Sequence, residues 1–237
     1  MPFRKISLML ALAFVFGALA AACGGGAEDA GEEGEAAGGG DLTIGYIEWD
    51  ENVAVSNLMK ILLEEDLGYD NAELQLADVG PLFQGVADGS IDAFHDVWLP
   101  GTHEEYWSEY QDQVVDLGVW YEGEADLGIA VPEYAEAQSI EDLAGSDEFN
   151  NQIVGIEPGS GIMSTVADDA IPTYGLDDYD LVDSSTPAML AEVESATQNE
   201  EPIAFTAWRP HWMFTAYEIR YLEDPEGAMG GAEELSS

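Results

Sequence analysis

Short β-rich runs alternate with segments of helical periodicity along this chain. The run LTIGYI at residues 42–47 is followed by a segment at 53–67 that places Leu58 and Leu62, among others, on one apolar face and stops at Gly68. A glycine is common just after a helix, and an apolar face predicts packing against a sheet. Strand–helix–strand order requires crossovers between parallel strands, so the pattern predicts an α/β fold.

The same alternation continues to Trp208. Further strands are predicted at AELQLADV, IDAFHDVW, VVDLGVWY, LGIAVP, IVGIE, YDLVD and IAFTAW, with helical segments between most of them. We predict two α/β lobes, with lobe 1 at 41–128, lobe 2 at 129–215, and residues 216–237 returning to lobe 1. The cleft between two such lobes is the default site for a ligand.

The N-terminal residues differ in composition from the rest. Residues 1–22 combine Arg4 and Lys5 with a short apolar run and small residues, which is typical of an export signal and too short for a membrane span. The stretch LAAAC ending at Cys23 resembles a bacterial lipobox, in which the cysteine is lipidated; an ordinary cleaved signal that leaves a free thiol is the alternative. Residues 23–40 are therefore predicted to be the lipidated cysteine and a flexible acidic and Gly-rich linker.

Acidic side chains dominate the charge. Asp and Glu number 49 against 5 Lys plus Arg, which gives a formal net charge of −44. A nucleic-acid partner is excluded, since neutralising phosphates requires clustered Lys and Arg. Disorder is not indicated, because 46% of the residues are hydrophobic. Self-repulsion at this charge destabilises a compact fold unless salt screens it, so we expect an exported, halophilic protein.

Three of the six tryptophans close short apolar runs at points where a loop is expected: Trp49 in YIEWDEN, Trp98 in AFHDVWLPGTH and Trp208 in IAFTAWRPHWMF. An indole face is electron-rich, and several faces together can hold a cation that has no N–H to donate. The alternative for each of them is packing in the core or between lobes. The remaining tryptophans lie in or beside apolar segments and are interpreted as packing residues: Trp107, Trp120 and Trp212.

The segment GIEPGSGIM at 155–163 predicts a strand, a Gly-rich turn and the start of a helix that continues to about Tyr174. Gly159 and Gly161 allow the backbone to turn sharply. Free N–H groups at a helix start attract an anion such as a carboxylate or a phosphate. The spacing matches neither GxGxxG nor a P-loop, and simple reversal of the chain is the alternative role.

The chain contains three histidines, His95, His103 and His211. They lack the close pairing of zinc sites, so no metal or other cofactor is expected, and they are interpreted as structural or ligand-contacting residues. No GxSxG elbow is present and no Ser, His and Asp arrangement stands out. Catalysis therefore finds little support.

Taken together, YIEWD, DVWLPGTHEEYW, GIEPGSGIM and AWRPHWMF resemble the motifs of substrate-binding proteins of glycine betaine/proline betaine ABC transporters. The resemblance extends from about Leu42 to Gly231. It implies a type II periplasmic-binding-protein fold, in which two α/β lobes close on a ligand in the cleft between them. Family members usually continue beyond LEDPEGAMGGAEEL, whereas this sequence stops at Ser237. Arg209 is less usual in its motif and is expected to pair with nearby acids.

The resemblance also implies the site. In that family, three tryptophans surround a trimethylammonium group while backbone N–H groups hold the carboxylate. Carried over by motif, the expected ligand-binding residues are Trp49, Trp98, Trp208, Gly161 and Ile162. His103, in WLPGTH, matches a position of auxiliary ligand contact.

These implications predict an extracytoplasmic, lipid-anchored receptor that binds glycine betaine or proline betaine and delivers it to the permease and ATPase subunits of an ABC transporter for osmoprotection. Three alternatives stay open. A choline or carnitine receptor of the same fold is one, and for choline Asp50 or Asp96 is the candidate carboxylate near the cation. The others are an exported enzyme acting on a small molecule and a binding protein that reports to a sensor.

Overall fold

The computed structural model describes residues 39–237. The strands in this part are β1 (Asp41–Tyr46), β2 (Asn71–Leu76), β3 (Ala93–Phe94), β4 (Val97–Leu99), β5 (Val119–Pro132), β6 (Gln152–Val154), β7 (Asp180–Val182), β8 (Phe205–Arg209), β9 (Ile219–Tyr221) and β10 (Glu233–Ser236). The α-helices are α1 (Asp50–Glu65), α2 (Val79–Asp88), α3 (Glu104–Tyr110), α4 (Gly161–Thr165), α5 (Ile171–Tyr174), α6 (Thr186–Asn199) and α7 (Met213–Ala216).

The first sheet follows the predicted strand–helix–strand order. Its strands are parallel in the order β2-β1-β3, and Ile44 lies opposite both Leu74 and Ala93. Helices α1 and α2 lie between these strands in the chain. The strand LTIGYI and the α/β class are therefore confirmed. The chain leaves β1 at Tyr46 and reaches Trp49, which is the N-cap residue of α1.

Helix α1 presents a different face to the protein from the one predicted. Leu58 and Leu62, which were expected to face the sheet, are 54% and 36% exposed, whereas Asn52 is buried. The Asn52 side chain accepts a hydrogen bond from the Ile47 N–H at 2.8 Å and donates one to the His95 carbonyl at 2.7 Å. Because buried backbone groups require partners, these bonds turn the polar Asn52 side of the helix inward. The helix is confirmed and its orientation was wrong.

The predicted strand IDAFHDVW is divided at Asp96. Its first part pairs with β1 as β3, and its last part is β4, which pairs antiparallel with β10. Asp96 has a φ of 91°, in the left-handed region, which interrupts regular strand geometry. Trp98 consequently lies inside β4 and not at the start of a loop, which corrects the sequence prediction.

The second sheet has the order β4-β10-β5-β8-β6-β7, and β9 also pairs with β5. Strands β8, β9 and β10 run antiparallel to β5, whereas β6 is parallel to both β7 and β8. Two strands were predicted where β5 is a single one, since its pairing continues from β10 to β8. Strands β9 and β10 were not predicted, because they are short and carry few apolar residues.

The helix predicted from 162 to about 174 is present with an interruption. It consists of α4, a π-helical turn at Val166–Ala170 and α5, which ends at Gly175 in the left-handed conformation. The helix start predicted in GIEPGSGIM is thus confirmed. A second helix start, at Ser139, opens a 3-10 helix at Ile140–Leu143 with a capping box in which Asp142 Oδ2 accepts from the Ser139 N–H at 2.9 Å.

The core lies around the central strands of the second sheet. Ile129 on β5, Ile153 on β6 and Phe205 on β8 are 0% exposed. Burying a side chain of this size contributes about 1.5 to 3 kcal/mol to stability. Trp208 is on the same strand as Phe205, so this packing also fixes the position of that indole.

Several predictions fall outside the described residues. They are the export signal at 1–22, the lipidated Cys23 and nearly all of the linker that follows it. Among residues 39–237 the structure has no helix long and apolar enough to cross a membrane. The lobe boundaries near residue 128 and the return of 216–237 stay predictions.

Candidate ligand-binding site

A small pocket, with about 270 Å³ of space that includes part of the open solvent, brings together residues from distant parts of the chain. Its walls are Trp49, Glu51, Trp98, Thr102, Leu127, Ile156, Ser160, Gly161, Ile162 and Trp208. Five of the six expected ligand-binding residues are in this set. The lining residues are spread along the chain from Trp49 to Trp208, so no single stretch of sequence describes the site.

Trp49 enters the cavity from the connection between β1 and α1. Its ring is 5% exposed and stacks on the His103 ring, with 5.8 Å between centroids and an interplanar angle of 17°. The indole N–H donates a hydrogen bond to the Glu157 carboxylate. With its edge and one face occupied, the ring is held as a fixed wall.

Trp98 lies on β4 and is 2% exposed. Its indole N–H donates to Asp96 Oδ1 at 3.0 Å, and its backbone N–H donates to His103 Nδ1, also at 3.0 Å. The left-handed conformation of Asp96 thus places its carboxyl group beside the ring of Trp98, two residues further along the chain.

Trp208 lies on β8 opposite Leu127 of β5, and both residues line the cavity. Its indole N–H donates to Glu51 Oε1 at 2.7 Å, and its ring centroid is 6.5 Å from that of Trp49 at an interplanar angle of 58°. Two indoles inclined in this way form adjacent walls of a box, and Trp98 is the third indole on the same cavity.

The start of α4 borders the same cavity. Ser160 is its N-cap residue, and the Ser160 carbonyl accepts from the N–H groups of Met163 and Ser164 at 3.1 and 3.4 Å. Gly161 and Ile162 precede these donors, and the first N–H groups of a helix have no acceptor within the helix. This end of the cavity therefore offers backbone donors and a favourable helix dipole to an anion.

His103 lies beside the cavity and is fully buried. Because Nδ1 accepts from Trp98, the proton is assigned to Nε2, which has no hydrogen-bond partner in the structure. Burial lowers the pKa of His103 to about 3, so the ring is neutral at pH 7. The residue expected to make an auxiliary ligand contact is thus stacked on the Trp49 indole and is not itself part of the cavity wall.

Two buried carboxyl groups lie close to the three indoles that line the cavity. Burial raises the pKa of Asp96 to about 8, although its bond from Trp98 acts in the opposite direction. Burial and the nearby Asp96 raise the pKa of Glu51 well above its ordinary value. One oxygen of each group, Glu51 Oε2 and Asp96 Oδ2, is buried without a hydrogen-bond partner.

The other candidates from the sequence lie apart from the cavity wall. His95 Nδ1 is 2.8 Å from Ser237 Oγ, and His211 Nε2 is 3.3 Å from the Asp50 carboxylate. Arg209 pairs with an acid, as expected: its Nε donates to Asp126 Oδ1 at 2.8 Å. Within residues 39–237, no three His, Cys, Asp or Glu side chains are grouped so that they could hold a metal ion.

Sequence reasoning missed half of the cavity wall. Leu127 and Ile156 carry no chemical signature, and only the strand pairing in the folded chain reveals that Leu127 faces Trp208. Thr102 lies in the WLPGTH motif and Ser160 in the GSGI turn, so both were close to predicted residues. Glu51 follows Trp49 by two residues, but one acid among 49 carries no weight on its own.

The chain matches the family described as the substrate binding domain of ABC-type glycine betaine transport systems over residues 40–236. The chain belongs to this family. The fold is accordingly the α/β periplasmic-binding-protein type, as predicted.

Similar solved structures share the fold over most of the chain. A glycine betaine/L-proline-binding protein, ProX, from Borrelia burgdorferi has 36% identity and a TM-score of 0.78, covering 83% of this chain and 73% of that one. Lactococcal OpuAC, closed and complexed with glycine betaine, has 36% identity and a TM-score of 0.75, covering 83% of this chain and 76% of that one.

A curated relative matches over a shorter region. The glycine betaine/carnitine transport binding protein GbuC of Listeria monocytogenes is 41% identical over 91 residues, which is 38% of this chain. The match spans 30% of that relative's own length.

We predict that Asp96→Asn makes the protein less sensitive to rising pH. An unfolded Asp ionises near pH 4, whereas Asp96 keeps its proton to about pH 8 in the fold. The free energy of unfolding therefore falls as the pH rises from about 4 to about 8, by up to about 1.4 kcal/mol per pH unit. Asn removes that dependence, still accepts from Trp98 and tolerates a positive φ.

Urea denaturation of both proteins between pH 5 and pH 8 measures the effect. As the pH rises, the free energy of unfolding of the parent chain is expected to fall relative to that of Asp96→Asn. Asp112→Asn is the control, because Asp112 is exposed. Parallel curves for the parent chain and Asp96→Asn would contradict the prediction.

Proposed function

We propose that this protein is the extracytoplasmic substrate-binding component of an ABC importer and captures glycine betaine or proline betaine. The observation that carries the proposal is the cavity itself, in which three indoles and a helix start form opposite chemical ends. One end suits a cation without N–H groups and the other suits an anion. The protein acts by binding and has no catalytic role.

The cationic end fits a quaternary ammonium group. Such a group donates no N–H hydrogen bond, so aromatic faces bind it without leaving polar groups unsatisfied. Each face contributes about 0.5 to 2 kcal/mol when water is excluded, and the three indoles are only 2% to 5% exposed. The family relationship points to the same chemistry, because lactococcal OpuAC is complexed with glycine betaine.

The anionic end fits a carboxylate. We assign the N–H groups of Gly161 and Ile162 to its oxygens. His103 lies behind the cavity wall, so its auxiliary role is to hold Trp49, on which it stacks as a neutral ring. Together with the cage, these contacts are compatible with micromolar affinity, which corresponds to about 8 kcal/mol.

Export, lipidation at Cys23 and delivery to permease and ATPase subunits complete the proposal. Family membership and the composition of residues 1–40 support these assignments. The lipid would hold the protein at the outer side of the membrane, and the linker would let the binding cleft reach the permease.

Calorimetric titration with glycine betaine, carnitine and choline tests the ligand. We expect heat on adding glycine betaine and weaker binding of choline, which lacks the carboxylate and would leave the amide donors of the cleft unpaired. The choline alternative draws some support from Glu51, whose buried carboxyl borders the cavity. Choline binding without any response to glycine betaine would overturn the assignment.

Alanine substitution tests the cage. Trp98→Ala and Trp208→Ala are each expected to weaken glycine betaine binding by about tenfold or more, since each removes one aromatic face. Trp120→Ala is the matched control: Trp120 is half-buried outside the cavity wall, so it should lower stability and leave the dissociation constant unchanged. Normal affinity in both cage variants would eliminate the cage.

Gly161→Ala tests the close approach at the anionic end. A Cβ at this position would lie 2.3 Å from the Thr102 carbonyl oxygen, so the two segments could not meet as they do. We expect glycine betaine affinity to fall by about ten- to a hundredfold, by analogy with overpacked cores. Gly231→Ala is the control, because a Cβ there meets no atom within 4 Å. Equal affinities for the two variants would argue against the proposed carboxylate subsite.

A further inference from the structure

All three indole N–H groups of the proposed cage donate to carboxyl groups. Trp49 donates to Glu157, Trp98 to Asp96 Oδ1 at 3.0 Å, and Trp208 to Glu51 Oε1 at 2.7 Å. A buried indole needs one acceptor, and a backbone carbonyl or a hydroxyl would serve equally well. The need to satisfy the N–H groups therefore does not explain why the acceptor is an acid in all three cases.

Two of these bonds join the same two parts of the chain in opposite directions. Trp49 lies before α1 and donates to an acid that follows β6, whereas Trp208 on β8 donates back to an acid in the first turn of α1. The bonds connect the beginning of the described chain with its second half in both directions. Each pair thus links an aromatic wall to a segment more than 100 residues away in sequence.

Glu157 is held firmly in place. Its Oε2 accepts from both the backbone N–H and the hydroxyl of Thr186, each at 3.1 Å, at the start of α6. Together with the bond from Trp49, these contacts fix the carboxylate in direct contact with the indole edge. Because Glu157 is fixed at the edge of the Trp49 ring, its negative charge acts on that ring.

A carboxylate at an indole N–H changes the electrostatics of the ring. The charge-assisted bond draws the proton toward the acid and shifts electron density onto the ring, which makes its faces more negative. The faces are the surfaces that attract a cation, and the effect is strong where water is excluded. The negative charge itself adds a longer-range attraction for the same cation.

We propose that Glu157 and Glu51 are specificity-determining residues, which act through Trp49 and Trp208 to make the cage selective for the positive charge of its ligand. The inference rests on the proposed function and goes further, because it assigns charge selection to residues behind the aromatic walls. Trp98 donates to Asp96 within a single segment, but Asp96 keeps its proton to about pH 8, so this pair adds no negative charge at pH 7 and is not given the same role.

The buried acid of the second pair is poised to respond to a cation. Burial and Asp96 together raise the pKa of Glu51. A positive charge against Trp208 opposes both causes and favours the carboxylate form. Glu51 also borders the cavity directly, so it adds its own attraction to the effect on the ring.

The test compares glycine betaine with 3,3-dimethylbutanoate, in which carbon replaces the quaternary nitrogen. The two molecules have the same shape and carboxylate, and only the positive charge differs. Calorimetry, with competition titration for the weaker ligand, gives the ratio of their dissociation constants for the parent chain, Glu157→Gln and Glu51→Gln. Glutamine can still accept the indole N–H through its amide oxygen, so the bond to the ring is kept while the negative charge is removed. In Glu157→Gln the amide NH2 cannot accept the two bonds from Thr186, and this structural loss falls on both ligands alike and cancels in the ratio. Glu48→Gln is the control, since Glu48 is exposed and beside Trp49 in sequence.

We expect the ratio of the two dissociation constants to move by about three- to tenfold against glycine betaine in each of the two variants, a fraction of the cation–aromatic energy. Glu48→Gln should keep the parent ratio. An equal loss for both ligands leaves the ratio unchanged, indicates a purely structural role and would overturn the inference. If the parent chain itself shows no glycine betaine binding, the proposed function fails and the inference with it.

Discussion

The hydrogen bonds between indole N–H groups and buried carboxyls hold the centre of this structure together. They bring the segment at 49–51 against Glu157 and Trp208, and Tyr106 adds a bond from its hydroxyl to the Gly159 carbonyl at 2.9 Å. Gly161 then approaches Thr102 so closely that no side chain fits between them. The cavity exists because these segments meet. Its aromatic end and its helix start belong to different parts of the chain, and each is complete only in the folded arrangement.

Much of the fold could be predicted because its signals are local. Alternation of β-rich runs with helical periodicity located most strands, and the GSGI turn located the start of α4. The six expected site residues could be named only through the family motifs, since tryptophans at loop mouths are compatible with packing as well as with binding. The structure brings five of them onto one cavity wall and places His103 directly behind it.

The features that the sequence did not predict depend on contacts between residues that are distant in the chain. The orientation of α1 follows from Asn52, which bonds to backbone groups of two other segments, so the apolar pattern of the helix was misleading. The split at Asp96 depends on pairing with β10, at the far end of the chain. Glu51 and Glu157 were hidden by abundance, because composition cannot distinguish a buried acid from the many that face solvent.

That distinction has a physical consequence for a chain with a net charge of −44. Exposed acids repel one another through water, and the Debye length shortens from about 10 Å at 0.1 M salt to about 3 Å at 1 M, so salt removes most of this repulsion. The acids that accept from Trp49, Trp98 and Trp208 are in direct contact with their indoles, and one oxygen each of Glu51 and Asp96 is buried, so salt screens these contacts much less. Added salt should therefore relieve the repulsion at the surface while leaving these contacts nearly intact. The fold would gain stability in a concentrated medium without losing the arrangement of its cavity.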